Sequence, residues 1–143
     1  MIVLVCGGRD FNNKTLLDQT LDRLDQERKI IGLVHGKARG ADTLAGLWME
    51  GKIREEYQTC WLRRQACPRA YRTGLQYHPE RWALGYPANW DRDKKAAGPI
   101  RNRLMLDRHP GIKLVVAFPT GGRGTANMLE QATARGVPTH VVS

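Results

Sequence analysis

Two predominantly apolar runs that end near glycines constrain the fold of this chain more than any other feature. The first run is "IVLVC" at 2–6, directly before Gly7 and Gly8, and the second is "IKLVVAF" at 112–118, shortly before "GGRGT" at 121–125. A strand that is apolar at nearly every position is typical of a parallel sheet whose two faces are both covered by helices. The two runs therefore predict an α/β protein.

The rest of the chain continues this alternation of strands and helices. "IIGLVH" at 30–35 and "VPTHVV" at 137–142 predict two more strands. Helices are expected between the strands, where capping residues or helical spacing of apolar residues occur: after Asn12 or Asn13, after Asp42 as a short helix, from Pro99 onward, and over 125–135. The alternation predicts a Rossmann-like fold, a doubly wound and mostly parallel sheet flanked by helices, in a single domain over 1–143.

Residues 52–85 do not fit the alternation. They combine many arginines and aromatic residues with poor periodicity, and 52–95 holds ten basic against five acidic residues. A third strand is expected either near 57–62 or near 82–86, and the sequence leaves the choice open. We interpret the stretch as a basic, aromatic insertion.

Composition limits the classes of partner. The formal net charge of +9 favours anionic partners such as nucleotides, nucleic acid or acidic surfaces. No apolar run is long enough to span a membrane, and the start of the chain resembles a strand rather than a signal peptide, so the cytoplasm is the expected compartment. Three cysteines indicate reduced thiols, and the spacing of Cys60, Cys67 and His78 does not make a complete zinc site, so no metal is predicted. Exposed apolar groups in the insertion favour a homo-oligomer.

Three glycine-bearing loops follow predicted strands, and in a parallel sheet all three reach the same edge. They are "GGRD" at 7–10, "GKARGAD" at 36–42 and "GGRGT" at 121–125. Glycine allows the backbone amides to approach an anion closely, and a helix that begins at Thr125 adds its positive end. The arginines near these loops supply forked donors for phosphate oxygens: Arg9, Arg39, Arg101 and Arg123. Neither the dinucleotide fingerprint nor the P-loop motif is present.

These loops, together with "YPANW" at 86–90 and "AGPIRN" at 97–102, closely resemble the SLOG superfamily and specifically its YspA-like branch. The resemblance covers 1–50 and 86–143. It implies a Rossmann-like fold that binds nucleotides or nucleotide-derived ligands over the strand ends, with no further cofactor. Arg101 and Asn102 stand where related members carry an Arg-Lys pair. The ligand-binding residues expected from the loops and the resemblance are Gly7, Gly8, Arg9, Gly36, Arg39, Gly40, Asp42, Trp90, Arg101, Asn102, Gly121, Gly122, Arg123, Gly124 and Thr125, with Tyr86 and Trp90 as candidates for base contact.

The resemblance also bears on catalysis. Enzymatic relatives, the LOG-type phosphoribohydrolases, carry Pro-Gly-Gly-x-Gly-Thr-x-x-Glu and use the Glu when they release a base from a nucleotide. Here the corresponding position is Met128, preceded by Asn127. The nearest acids in the loops are Asp10 and Asp42, and Asp42 can equally cap its helix.

The leading hypothesis is therefore a sensor or sequestering module that binds a signalling nucleotide without cleaving it. One alternative is an N-glycosidic hydrolase in which Asp10 or Asp42 is the acid. The other is nucleic-acid binding through the basic, aromatic stretch, as in the DNA-handling branch of the same superfamily.

Overall fold

The chain forms a five-stranded sheet with helices on both faces. The computed structural model describes residues 1–62 and 80–143, without the side chains of 57 and 59–62. The strands are β1 (Ile2–Gly7), β2 (Gly32–His35), β3 (Trp82–Gly85), β4 (Ile112–Phe118) and β5 (Thr139–Val141). The helices are α1 (Lys14–Glu27), α2 (Ala41–Leu62), α3 (Trp90–Asp93), α4 (Ala97–Arg108) and α5 (Arg123–Ala134), with a 3₁₀ turn (Lys94–Ala96) between α3 and α4.

All strand pairs are parallel, and the order across the sheet is β3-β2-β1-β4-β5. The chain therefore runs outward from β1 to β3 and then returns to the other side of β1. This reversal places a topological switch point between β1 and β4, where open α/β sheets form a crevice beyond the carboxyl ends of the strands. The predicted Rossmann-like, doubly wound sheet is confirmed.

The core lies in two layers because successive side chains of a strand point to opposite faces of the sheet. Val3 and Val5 of β1 pack with α1 and α2, whereas Leu4 and Cys6 pack with α4 and α5. Strands that carry apolar side chains on both faces are thus buried on both faces, as the continuous runs predicted. The first helix begins after Asn13, whose Oδ1 accepts a hydrogen bond from the Leu16 amide at 3.0 Å.

Two details of the sequence-based prediction are changed or decided. The helix after the second strand is not short, because α2 continues through residues 57–62 as far as Leu62. The third strand is Trp82–Gly85, and it pairs with β2 at the edge of the sheet. The predicted insertion over 52–85 therefore begins inside α2 and ends in β3. Its middle part, residues 63–79, lies outside the described residues, and its status as an insertion stays a prediction.

Trp48 lies in the layer between α1 and α2 and is buried. Its indole Nε1 donates a hydrogen bond to Asp22 of α1 at 2.9 Å. It therefore packs in the core, in the cluster that contains Leu17 and Leu21 of α1. None of the helices in 1–62 and 80–143 is both long and apolar enough for a transmembrane span.

Candidate functional site

Three loops meet above the carboxyl ends of the strands. The first loop (8–13) follows β1, the second loop (36–40) follows β2, and the third loop (119–122) follows β4. The Gly8 amide donates a hydrogen bond to the Phe118 carbonyl at 3.1 Å, which ties the first loop to the end of β4. Gly40 has a φ of +81°, and a Cβ there would collide with the Gly8 carbonyl oxygen. The first and second loops thus lie in direct contact through a glycine that no other residue can replace without strain.

A cavity of about 590 Å³ opens between these loops at the switch point of the sheet. Most of the residues predicted from sequence line it: Gly7, Gly8, Arg9, Asp10, Gly36, Asp42, Trp90, Arg101, Asn102, Gly121, Gly122, Arg123, Gly124 and Thr125. Arg39 instead lines a smaller neighbouring cavity, and Gly40 lines neither one. A volume of this size is typical of sites for small ligands and cofactors.

The third loop leads into the first turn of α5. Gly122 precedes the helix with an extended backbone and provides no side-chain hydrogen bond to the helix amides. The first amides of a helix have no partner inside the helix, and together with the helix dipole they favour a bound anion. Gly122, Arg123, Gly124 and Thr125 all line the cavity. The start of α5 is therefore suited to a phosphate group.

The Arg101 side chain of α4 contacts the second loop. Its guanidinium donates a hydrogen bond through Nη1 to the Gly36 carbonyl at 2.6 Å and through Nε to Asn102 Oδ1 at 3.0 Å. Burial lowers the pKa of Arg101, and the nearby Asp42 carboxylate acts in the opposite direction. An arginine stays protonated under these conditions. It presents a fixed positive charge to both cavities.

Asp42 is buried in the first turn of α2, and one of its oxygens accepts a hydrogen bond from the Ala38 amide at 3.2 Å. The carboxylate therefore holds the second loop that precedes α2, and this contact is not the helix cap proposed from sequence. Burial raises the pKa of Asp42 to about 6, although the amides of the second loop and the charge of Arg101 lower it in part. The side chain is an acceptor that faces the cavity from a position of low solvation.

Asn102 lines the cavity and also makes hydrogen bonds inside the protein, and the ligand contact that the sequence suggested stays a prediction. Its side chain is buried, and its amide nitrogen donates to the Gly124 carbonyl at 3.2 Å and to Asn127 Oδ1 at 3.1 Å. Its amide oxygen accepts from Arg101. Both donors of the amide are thus used inside the protein. Asn102 acts as a positioning residue that connects Arg101 to the start of α5.

The position that corresponds to the Glu of the hydrolase motif is filled by Met128, a residue of the hydrophobic core. The Met128 side chain is fully buried with Leu4 and Cys6 below the cavity. The Asn127 Oδ1 accepts hydrogen bonds from Asn102 of α4 and from Gln131 on the next turn of α5. Neither residue can present an acid to a bound nucleotide. Asp10 and Asp42 are the carboxylates that line the cavity among the residues that the structure describes.

Arg9 and Trp90 form the wall between the two cavities. The Arg9 guanidinium carbon lies 5.3 Å from the centre of the Trp90 ring, within the range of a cation–π contact. Trp90 remains 47% exposed, and it begins the short helix α3, whose first turn is capped by Asn89. An exposed ring next to a cation at a cavity rim can stack on a nucleobase.

Two comparisons with known proteins identify the family of this chain. Residues 1–52 match the model of the YspA, cpYpsA-related SLOG family. The chain is also 30% identical over 138 residues to the Gene 61 protein of Mycobacterium phage D29, an alignment that covers 95% of this chain and 91% of that protein. The chain belongs to the YspA, cpYpsA-related SLOG family. Membership of the SLOG family indicates a nucleotide-related function.

The segment that matches the SLOG family model contains the first and second loops. Several residues that line the cavity were not predicted from the sequence: Cys6, Ala38, Gly98, Met105 and Thr120. These residues line the cavity because of how the helices and loops pack. Only Thr120 could have been predicted from the sequence, because it is a hydroxyl residue next to two glycines. Burial raises the pKa of the Cys6 thiol to about 12, so it remains protonated and unreactive.

Other expectations lie away from the SLOG cavity. Tyr86 lines neither cavity, because its hydroxyl makes a hydrogen bond of 2.7 Å with His109. Cys67 and His78 lie outside the described residues, as does the side chain of Cys60. Within 1–62 and 80–143, no cluster of three or more His, Cys, Asp or Glu side chains is arranged to hold a metal ion. The homo-oligomer stays a prediction.

Proposed function

We propose that this protein binds a nucleotide or nucleotide-derived ligand in the large cavity and acts as a sensor or sequestering module. The observation that carries the proposal is the uncapped start of α5, which lines the cavity beside Arg9 and Arg123. Neither arginine has an ion pair within the described part of the chain. Free helix amides and unpaired guanidinium groups around one concave site are complementary to a phosphate group.

The remaining parts of the cavity suit the other parts of a nucleotide. Asp42 offers a carboxylate oxygen that can accept a hydrogen bond from a ribose hydroxyl. Trp90 offers an exposed ring for the base. The position where the hydrolase motif carries its Glu is filled by Met128 in the core, which favours binding without cleavage.

Isothermal titration calorimetry tests the proposal with a panel of nucleoside 5′-monophosphates, ADP-ribose derivatives and cyclic nucleotides. We expect at least one ligand to bind, and we expect Arg123→Gln to weaken that binding about tenfold because one charge-assisted contact is lost. The matched control is Lys113→Gln, which removes an exposed positive charge from the start of β4 at the opposite edge of the sheet. Absence of binding across the panel, or an equal loss in both variants, would refute the proposal.

Hydrolysis is the second candidate function, and one observation favours it. Asp42 is a buried carboxyl group that lines the cavity and has a pKa of about 6, and a general acid works best with a pKa near the operating pH. Chromatography of a nucleoside 5′-monophosphate after incubation tests this function at pH 5 to 8. Base release that falls with rising pH and disappears in Asp42→Asn would support cleavage. An unchanged substrate at every pH would exclude it.

A further inference from the structure

A second cavity of about 250 Å³ lies beside the main one. The two cavities share five lining residues, which are Arg9, Gly36, Ala38, Trp90 and Arg101. The second cavity is completed by residues that the main cavity lacks, namely Lys37, Arg39, Pro87 and Ala88. A single ligand can therefore extend from one cavity into the other past the Arg9–Trp90 wall.

The second cavity is the more strongly cationic of the two. Four basic residues line it, Arg9, Lys37, Arg39 and Arg101, and no carboxylate within 1–62 and 80–143 does so. The main cavity holds Asp10 and Asp42 in addition to its arginines. Lys37 and Arg39 are exposed and make no ion pair with any residue that the structure describes. A small concave space with several uncompensated cations favours an anionic group.

The second loop holds Lys37 in a strained conformation. Lys37 has a φ of +55°, a value that residues other than glycine rarely adopt. Its amide donates a hydrogen bond to His35 Nδ1 at 3.0 Å, which anchors the turn to the end of β2. Strained residues persist where the surrounding structure fixes them, and they are concentrated at ligand sites. The placement of this lysine at the second cavity is thus part of how the loop is built.

The distance between the two anion sites restricts the ligand. The third loop follows β4 and the second loop follows β2, with β1 between them. Two strand spacings amount to about 10 Å. Neighbouring phosphates of a diphosphate share one bridging oxygen and lie too close together to occupy both sites. Phosphates separated by a ribose or a longer spacer can do so.

We propose that the second cavity binds a second phosphate of the ligand, so that the ligand has two phosphate groups separated by at least one ribose, as in a linear dinucleotide. This inference rests on the proposed function, since the first phosphate is the one at the start of α5. Trp90, on the shared wall, stacks on the base between the two phosphates. Lys37 and Arg39 are then the residues that select this ligand over a mononucleotide.

Calorimetric titration tests the inference with four probes: adenosine 5′-monophosphate, adenosine 5′-diphosphate, the 5′-phosphorylated dinucleotide of adenosine, and a hexanucleotide of the same base. The diphosphate carries a similar total charge to the dinucleotide, but its phosphates are adjacent. We expect the dinucleotide to bind at least about tenfold more tightly than either mononucleotide, because it alone adds charge-assisted contacts in the second cavity.

A double variant, Lys37→Gly with Arg39→Gln, removes both cations. The glycine that it places at position 37 tolerates the positive φ. We expect it to abolish the advantage of the dinucleotide and to leave binding of the monophosphate unchanged. Lys113→Gln is again the control and should preserve both affinities.

Each other outcome overturns the inference in a distinguishable way. Equal affinities for the monophosphate and the dinucleotide would refute the second phosphate site while leaving the proposed function intact. A tenfold gain with the diphosphate as well would show a general effect of charge. A further gain from the dinucleotide to the hexanucleotide would identify a groove for a nucleic-acid strand instead of a site for a small ligand. Absence of binding by all four probes would refute the inference, whereas the proposed function is refuted only if the full nucleotide panel fails to bind as well.

Discussion

Asp42→Asn tests how the electrostatics of the cavity are coupled to stability. Burial raises the pKa of the Asp42 carboxyl from 3.8 to about 6 in the folded protein. Between these two values the folded protein binds more protons than the unfolded chain does. The contribution of Asp42 to stability is therefore greatest near pH 4, falls as the pH rises to about 6, and stays low above that. A shift of about two pKa units corresponds to a loss of about 3 kcal/mol at 1.36 kcal/mol per unit.

An Asn side chain is neutral at every pH, so it avoids the cost of placing a charge in the cavity. It can still accept the hydrogen bond from the Ala38 amide, although its NH₂ group cannot replace the second carboxylate oxygen as an acceptor. The loss of that acceptor costs about 1 kcal/mol and does not depend on pH. At pH 7 the variant should consequently be more stable than the wild type by about 2 kcal/mol.

Urea denaturation of both proteins from pH 4 to pH 8 measures this difference, and titration of other groups cancels when the two curves are subtracted. The free energy of unfolding of Asp42→Asn minus that of the wild type should rise by about 2.4 kcal/mol between pH 4 and pH 7, less than the full value of about 3 kcal/mol because the unfolded carboxyl is already partly ionised at pH 4. Asp10→Asn, at an exposed carboxylate of the same cavity, is the control and should stay within about 0.5 kcal/mol of the wild type. A difference that is flat or falls with pH would refute the reasoning.

Two further substitutions test the framework of the site by thermal and urea denaturation. Gly40→Ala should destabilise the protein by about 1–3 kcal/mol because Gly40 has a φ of +81° and a Cβ there would collide with the first loop. The control Gly51→Ala, in α2 with open space around it, should instead stabilise the protein by about 0.5–1 kcal/mol. Equal effects of the two substitutions on stability would contradict the explanation. Arg81→Met should cost about 2 kcal/mol because it removes the guanidinium that lies 2.6 and 2.7 Å from the partly buried carboxylates of Asp25 and Glu56. Asp25 then keeps the hydrogen bond from the Ile30 amide, and Glu56 keeps the ion pair with Lys29 at 3.3 Å. A loss below about 0.5 kcal/mol would show that these remaining contacts and solvent compensate the two charges.

The sheet could be predicted from the sequence because parallel strands buried on both faces are apolar throughout. The edge strand β3 could not be assigned with certainty, because it has only four residues and exposes Ala83 and Leu84. The length of α2 was also missed. Its second half carries polar and charged residues on exposed positions and contains Gly51, so its periodicity is weak.

Much of the candidate site could be predicted for a topological reason. Glycine loops that follow parallel strands must meet at one edge of the sheet, whatever their separation in sequence. The roles of single side chains could not be predicted in this way. Asn102 becomes a positioning residue only because α4 brings it against the start of α5, and Tyr86 is withdrawn from the site by a hydrogen bond to His109. Such assignments depend on tertiary contacts between segments that are distant in the chain.

The second and third loops differ in how much conformational and electrostatic cost they carry, and under the proposed function this difference predicts which of them sets ligand selectivity. The third loop offers helix amides and flexible glycines, which suit any phosphate group. The second loop and the first turn of α2 contain the strained Lys37, the obligatory Gly40 and the poorly solvated charge of Asp42. Strained residues and perturbed pKa values are concentrated at functional sites, where they can be part of how the site works. We therefore expect substitutions in the second loop to change which nucleotide is bound, and substitutions in the third loop to weaken all phosphorylated ligands alike.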